Sequence, residues 1–215
     1  MSLSEKAQAL FDQIAPASTR RAELKRLAKG IKTDHTLALE LWSTGNQQCR
    51  MLAVLIFDKK QIDQAFIDTL DADLQQLDDT PRVHLMEWLL ANQLMKSRPL
   101  TRLVESWENS PSSLQRRTFW YLQARQRWTG QKSPPNTEAL LDALEARLED
   151  EVPEVQWAMN FTACQIGTFQ EEHRARCVAL GERVGLYRDE KVPRGCVPSF
   201  LPEYIRVQSA KVAKK

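Results

Sequence analysis

The chain has 215 residues, of which 42% are hydrophobic and 27% charged, and its formal net charge is +2. That balance excludes a disordered polyelectrolyte and a membrane protein, and the length suffices for one sizeable core. A total charge so near zero carries no argument for a nucleic-acid partner, so any such case must rest on where the cations lie. Only seven glycines are present, runs of Val, Ile and Thr at period two are few, and Leu, Ala, Gln, Glu and Arg dominate. An all-α fold is expected. The four cysteines, Cys49, Cys164, Cys177 and Cys196, form no CxxC pair and read as buried or incidental thiols rather than a zinc site or disulfide framework. The N-terminal stretch has charges within its apolar periodicity, unlike a signal peptide, and no apolar run reaches transmembrane length, so the cytoplasm is the expected location.

Ser4 is placed to cap a first helix to about Ile14, ended by Pro16. A helix from about Ser18 to Ala28 carries Arg20, Arg21, Lys25, Arg26 and Lys29 around Leu24 and Leu27, which makes it either a solvated cationic face or a phosphate-facing surface. Asp34 is the expected cap of a helix through Trp42. A turn at Ser43 to Asn46 follows, then the almost wholly apolar helix QQCRMLAVLIF. Residues 61–77 place Ile62, Phe66, Ile67, Leu70 and Leu74 on one face, and Asp79 or Thr80 is the expected cap of the next helix, which holds Trp88. From Arg98 to Trp128 two helices should meet at the corner Asn109-Ser110-Pro111, with Ser110 as N-cap and Pro111 in the first turn. The second of them sets Leu114, Phe119, Trp120 and Leu122 on an apolar face flanked by Arg116, Arg117, Arg125 and Arg127. Gly130 to Asn136 reads as a loop, followed by a helix pair split at Glu151-Val152-Pro153 and a helix from Ala175 to Val184. Pro193, Gly195, Pro198 and Pro202 make the stretch from Gly185 irregular, with a short terminal helix after it.

Three segments repeat one plan of helix, polar break, helix: LALELWSTGNQQCRMLAVLI, LVESWENSPSSLQRRTFWYL and LEARLEDEVPEVQWAMNFTA. A spacing of about 40 residues, without TPR or ankyrin signatures, predicts a HEAT-like repeat solenoid of stacked antiparallel helix pairs. Its concave wall would be lined by the second helix of each pair. The expected organisation is a repeat domain over 1–184 and an extension over 185–215 that caps the last repeat and ends in disorder.

The stretch SWENSPSSLQRRTFWYL, the run DEVPEVQWAMNFTACQIG and the ending LGERVGLYRDEKVPRGCVPSFLPEYI, set on these helix pairs, resemble the AlkD-like DNA alkylation repair proteins. The likeness runs from about Leu37 to Ile205 and is cumulative rather than carried by one motif. It implies a horseshoe whose cationic hollow holds duplex DNA and, in active members, hydrolytic removal of cationic N3- or N7-alkylated purines. Such a base leaves readily, so the chemistry asks for a carboxylate near the oxocarbenium-like sugar and aromatic or guanidinium groups around the lesion. It calls for no cofactor and no metal. Arg117 matches the family's arginine, whereas the family's early Trp falls on Asp78, its Asp on Arg82 and its later Trp near Phe161. With the carboxylate absent from its family position, Asp78, Asp79 and Glu87 are the candidate catalytic groups. Arg117, Arg116, Arg82, Arg125, Phe161 and Trp157 are the candidate DNA contacts.

Other readings stay open beside these. Trp107, Trp120, Trp128 and Trp157 also suit a core between repeats, as do Trp42 and Trp88. His84 has no second ligand at helical spacing and so no metal role. A HEAT-like scaffold with a protein partner is the alternative to DNA binding, and the location of Arg and Lys on the helices discriminates the two.

Overall fold

The structure of the chain is a computed structural model that describes residues 3–16, 20–128 and 132–214. Among the described residues there are twelve α-helices and no strand: α1 (Glu5–Ile14), α2 (Arg21–Ile31), α3 (His35–Ser43), α4 (Gln47–Ile56), α5 (Gln64–Leu74), α6 (Asp79–Asn92), α7 (Arg98–Glu105), α8 (Ser113–Arg127), α9 (Thr137–Arg147), α10 (Pro153–Phe169), α11 (Arg174–Val184) and α12 (Leu201–Val212). The chain divides into two compact units, Met1–Glu105 and Ser106–Lys215.

In the first unit α4 packs against α2, α3 and α6. Its almost unbroken apolar sequence explains this position, since Cys49 through Val54 and Ile56 are all buried and only a helix surrounded by others can hide every face. Polar side chains lock the neighbours: the Trp88 indole donates to the Met51 carbonyl at 2.9 Å and the Gln93 amide to Val54 at 2.6 Å. Ser4 and Asp34 cap α1 and α3 as the sequence predicts, each accepting from the backbone N–H three residues on. Asn46, read as a turn residue, also caps α4 by accepting from Gln48 and Cys49. Neither Asp79 nor Thr80 caps α6. The helix begins at Asp79 after an Asp78 that makes no side-chain cap, and the Asp79 carboxylate is turned to Arg82 instead. The expected start of the basic helix at Ser18 lies outside the described residues, and α2 opens at Arg21.

In the second unit α8 lies along α10, and α12 packs on both α10 and α11. The corner before α8 differs from expectation by two residues. Ser112, not Ser110, caps the helix by accepting from Gln115 N, and Pro111 stays outside it. The Ser110 hydroxyl accepts from Ser112 N at 3.2 Å instead of from the first turn of the helix, and the carbonyls of Ser110 and Pro111 accept from Arg116 Nη1 at 2.8 and 3.2 Å. Of the expected loop, Gly130 and Gln131 lie outside the described residues, as does the final residue of the tail.

Two glycines inside helices explain how closely α12 docks. A Cβ on Gly167 of α10 would stand 2.3 Å from Ile205 Cδ1, and one on Gly181 of α11 would stand 2.6 Å from Pro202 Cδ and 2.8 Å from Leu201 Cβ. The Ile205 side chain can swing away, but the Pro202 ring and the Leu201 Cβ move only with the backbone. Gly181→Ala should therefore lose about 1–3 kcal/mol of stability by prising off the first turn of α12, in spite of alanine's better helix propensity. The urea midpoint measures this, and Gly30→Ala, where nothing lies within 4 Å of the added methyl, is the neutral or stabilising control.

Candidate functional site

Helices α8, α10 and α12 carry a matched set of side chains at four-residue steps. These are Arg117, Tyr121 and Arg125 on α8, Trp157, Phe161 and Gln165 on α10, and Tyr204 and Gln208 on α12. Four-residue steps keep one face, so each helix offers a single stripe to its neighbour. The Arg117 guanidinium sits over the rings of Trp157 and Tyr121, 4.9 and 5.6 Å from their centroids. Trp157 stacks on Phe161 at 5.3 Å with 15° between planes, Phe161 stacks on Tyr121 at 6.1 Å, and Tyr204 and Trp128 meet Phe161 edge-on. Arg125 lies 5.8 Å from both Tyr121 and Trp128. A guanidinium over a ring face is held by the ring quadrupole, each contact contributing about 0.5–2 kcal/mol, so these cations are oriented before any ligand arrives.

The two arginines of this cluster are not equivalent. Arg117 is 5% exposed, so it braces the rings from beneath. Arg125 is half-buried, and among the described residues it has no ion pair and no hydrogen-bond acceptor for its buried Nε. Trp128 is 41% exposed, contrary to the expectation of a core residue. The chain leaves the helix at this position with extended backbone, which takes the ring out of the core-facing register. Trp107 and Trp120 are core residues as expected, at 2% and 1% exposure. Two hollows adjoin the cluster. One of about 160 Å³ is lined by Trp157, Asn160, Phe161, Cys164, Ser199 and Tyr204, and another of about 220 Å³ lies by Trp128, Phe161, Gln165 and Tyr204.

Arg116 faces a different task from its neighbour. Its Nε and Nη2 make a forked bond to the Glu151 carboxylate at 2.9 and 3.0 Å, which ties the start of α8 to the corner before α10. With Nη1 on two carbonyls, the whole guanidinium is used inside the protein, and the expectation of a phosphate contact there is replaced by a structural tie.

In the first unit, Arg82 donates to Gln75 at 2.9 Å and to Asp79 at 2.8 Å. Asp79 and Glu87 line one open hollow of about 500 Å³ with Arg21, Thr80, Val83 and His84, while Asp78 stands just before α6. Arg21 Nη2 is 2.7 Å from His84 Nε2. Because a guanidinium only donates, Nε2 accepts and the neutral ring carries its proton on Nδ1, which the Gln47 amide, 3.1 Å away, satisfies by turning its oxygen rather than its nitrogen towards the ring. Burial, and then Arg21, hold the imidazole below its ordinary pKa, with Glu87 pulling the other way, so His84 is neutral at physiological pH. Arg21 and Lys25 also lie over Trp88, at 5.8 and 5.4 Å. Arg20, Lys25 and Lys29 are exposed and make no ion pair among the described residues.

Sequence reasoning singled out Arg117, Arg125, Trp157 and Phe161, and the structure gathers them in one cluster. It missed Tyr121, Tyr204 and Asn160. Tyr121 was legible, since it stands midway between Arg117 and Arg125 at helical spacing.

The fold matches a solved protein described as one of a new family related to the HEAT-like repeat DNA glycosylases with affinity for branched DNA structures, with a TM-score of 0.64 and 18% identity over 99% of this chain and 89% of that one. The fold is thus that of a HEAT-like repeat protein, as the helix pairs predict. The chain belongs to the DNA alkylation repair enzyme family, whose sequence profile matches residues 14–179. No curated protein matches the chain. Among the described residues, no helix is long and apolar enough to cross a membrane.

Proposed function

We propose that the chain binds duplex DNA: in the second unit Arg125 meets phosphates and the rim of the aromatic cluster meets sugars and bases, and in the first unit the basic face of α2 is a phosphate contact in its own right. The observation that carries this reading is the guanidinium-over-ring arrangement of Arg117, Arg125, Tyr121, Trp128 and Trp157, in which an exposed indole stands beside a cation that has no ion pair among the described residues. Phosphates need such cations and unstacked bases need such rings. Family membership and the described affinity of the fold relative for branched DNA point the same way.

Excision of an alkylated purine would need a carboxylate beside the sugar. Asp79 is engaged by Arg82, which itself stands where the resemblance expects the carboxylate, and the hollows beside the aromatic cluster are lined by rings, amides, hydroxyls and a thiol. The reading is therefore binding without base release. Arg125→Ala should weaken duplex binding at low salt about 5- to 10-fold and lower the slope of log affinity against log salt by about one. Arg116→Ala should lower stability and leave that slope unchanged. Fluorescence anisotropy at several salt concentrations reads both. If instead the Arg125 variant binds as tightly as the parent, the cluster is not the interface, and release of free base from N7-methylguanine duplex would restore the catalytic reading.

A further inference from the structure

The hollow of about 160 Å³ beside the aromatic cluster has polar groups that the cluster itself does not use. Asn160, on α10, is 3% exposed, and its Nδ2 donates to the Ser199 carbonyl at 2.8 Å, with the Cys164 sulfur at 3.9 Å. Donation to a carbonyl fixes which end of the amide is nitrogen. Oδ1 is then an acceptor for which no described residue supplies a donor, on a buried side chain that lines the hollow. Across from it, the Tyr204 hydroxyl accepts from Gln165 Nε2 at 3.0 Å, which leaves its own proton to donate. Burial raises the phenol above its ordinary pKa, so that proton is retained at neutral pH. The rings of Trp157, Phe161 and Tyr204 supply the remaining walls.

We infer that this hollow receives one unpaired pyrimidine base, its N–H edge on Asn160 Oδ1 and the adjacent ring acceptor on the Tyr204 hydroxyl. The inference rests on the DNA-binding reading and adds a base preference to it. Size selects the class: a cavity near 150 Å³ accommodates one benzene-sized ring, so a six-membered base fits and a bicyclic purine does not. Polarity selects the edge. Thymine offers its N3–H to an acceptor with a carbonyl beside it for a donor, and cytosine offers its N4 amine with the ring N3 lone pair beside it for the same donor. In a paired duplex that edge is occupied by the opposite base, and the base is also held in the stack. Only an unpaired nucleotide reaches the hollow without a large unstacking penalty. A preference for DNA with unpaired positions follows from the seat itself.

The test compares three duplexes of equal length by anisotropy: fully paired, with one bulged thymine, and with one bulged adenine. The bulged thymine should bind about tenfold more tightly than the paired duplex, as one base stacked on aromatic side chains supplies, and bulged adenine should gain little. Binding should protect the bulged thymine from permanganate, which attacks the exposed 5,6 double bond. Asn160→Leu should abolish the thymine preference. Tyr204→Phe, which keeps the ring and tests the same seat should the first variant fold poorly, should reduce it severalfold. Equal binding of bulged and paired DNA overturns the seat while leaving duplex binding intact. Equal gain from adenine and thymine overturns the pyrimidine assignment, and a thymine preference that survives both substitutions moves the seat elsewhere. Absence of binding to all three duplexes removes the DNA-binding reading, and the inference with it.

Discussion

Arg127→Met should lower the free energy of unfolding by about 3 kcal/mol, seen as a fall in the urea midpoint with little change in slope. Arg127 is 0% exposed, yet its neighbours include no carboxylate among the described residues. Its guanidinium is satisfied by neutral acceptors: Gln170 Oε1 at 3.1 Å from Nε, the Gln123 carbonyl at 3.0 Å and Gln123 Oε1 at 3.3 Å from Nη1, and Asn136 Oδ1 at 2.6 Å and Thr137 Oγ1 at 3.1 Å from Nη2. Burial lowers its pKa to about 10, so the group remains charged at neutral pH and pulls those oxygens inward. Methionine matches much of the stem but offers no donor. Thr137 and Gln170 still bond to each other, and Asn136 still donates to Gln123, so the loss falls on acceptor oxygens left short of a partner rather than on the whole network. Relief of the buried charge offsets part of it, which keeps the expectation below a simple sum of five bonds. Arg127→Lys should also destabilise, because a single ammonium cannot span acceptors contributed by α8, the α9 start and the residue after α10. A midpoint unchanged in both variants would show that the oxygens find other donors.

The same arginine shows where sequence reasoning stops. Its place at the margin of an apolar face was legible from period alone, as were the all-round burial of α4, the caps at Ser4 and Asp34 and the recurring helix pairs. Each depends on residues within a few positions of one another. What was not legible depends on partners about one repeat away. Arg116 meets Glu151 and Arg127 meets Gln170, while Arg117 rests on Trp157. A long guanidinium stem lets the head turn outward to solvent or inward across a neighbouring helix, and local spacing does not distinguish the two. Four arginines of one helix that look alike in sequence therefore divide into a tie, a brace, an accessible cation and a buried hub. The Ser110 cap failed because its hydroxyl accepts from Ser112 N, and Ser112 caps the helix in its place. Trp128 failed because the helix stops just before it.

The accessible cations outside that cluster give the second large effect. Changing Arg20, Lys25 and Lys29 together to Glu should lower duplex affinity at low salt by about two orders of magnitude and reduce the salt slope by about three, one for each phosphate no longer neutralised. Not every exposed arginine should behave this way. Arg176 is bound at once by Glu138, Asp142 and Glu145 at 2.6 to 2.8 Å, so its charge is already answered within the protein. Arg176→Ala should leave the salt slope unchanged and affect only stability. The N-cap Arg20 and the α2 residues Lys25 and Lys29 have no such carboxylates among the described residues, and Lys25 has only the Trp88 ring beneath it at 5.4 Å. Folding should tolerate the reversal: Glu at position 20 suits the positive end of the helix dipole, Glu at position 29 opposes the negative end by a similar amount, and α2 is held chiefly by Leu24, which is fully buried. An intact thermal melt together with undiminished DNA affinity would take α2 out of the interface and leave its charge as a solvated face, with phosphate binding confined to the α8–α10–α12 side chains.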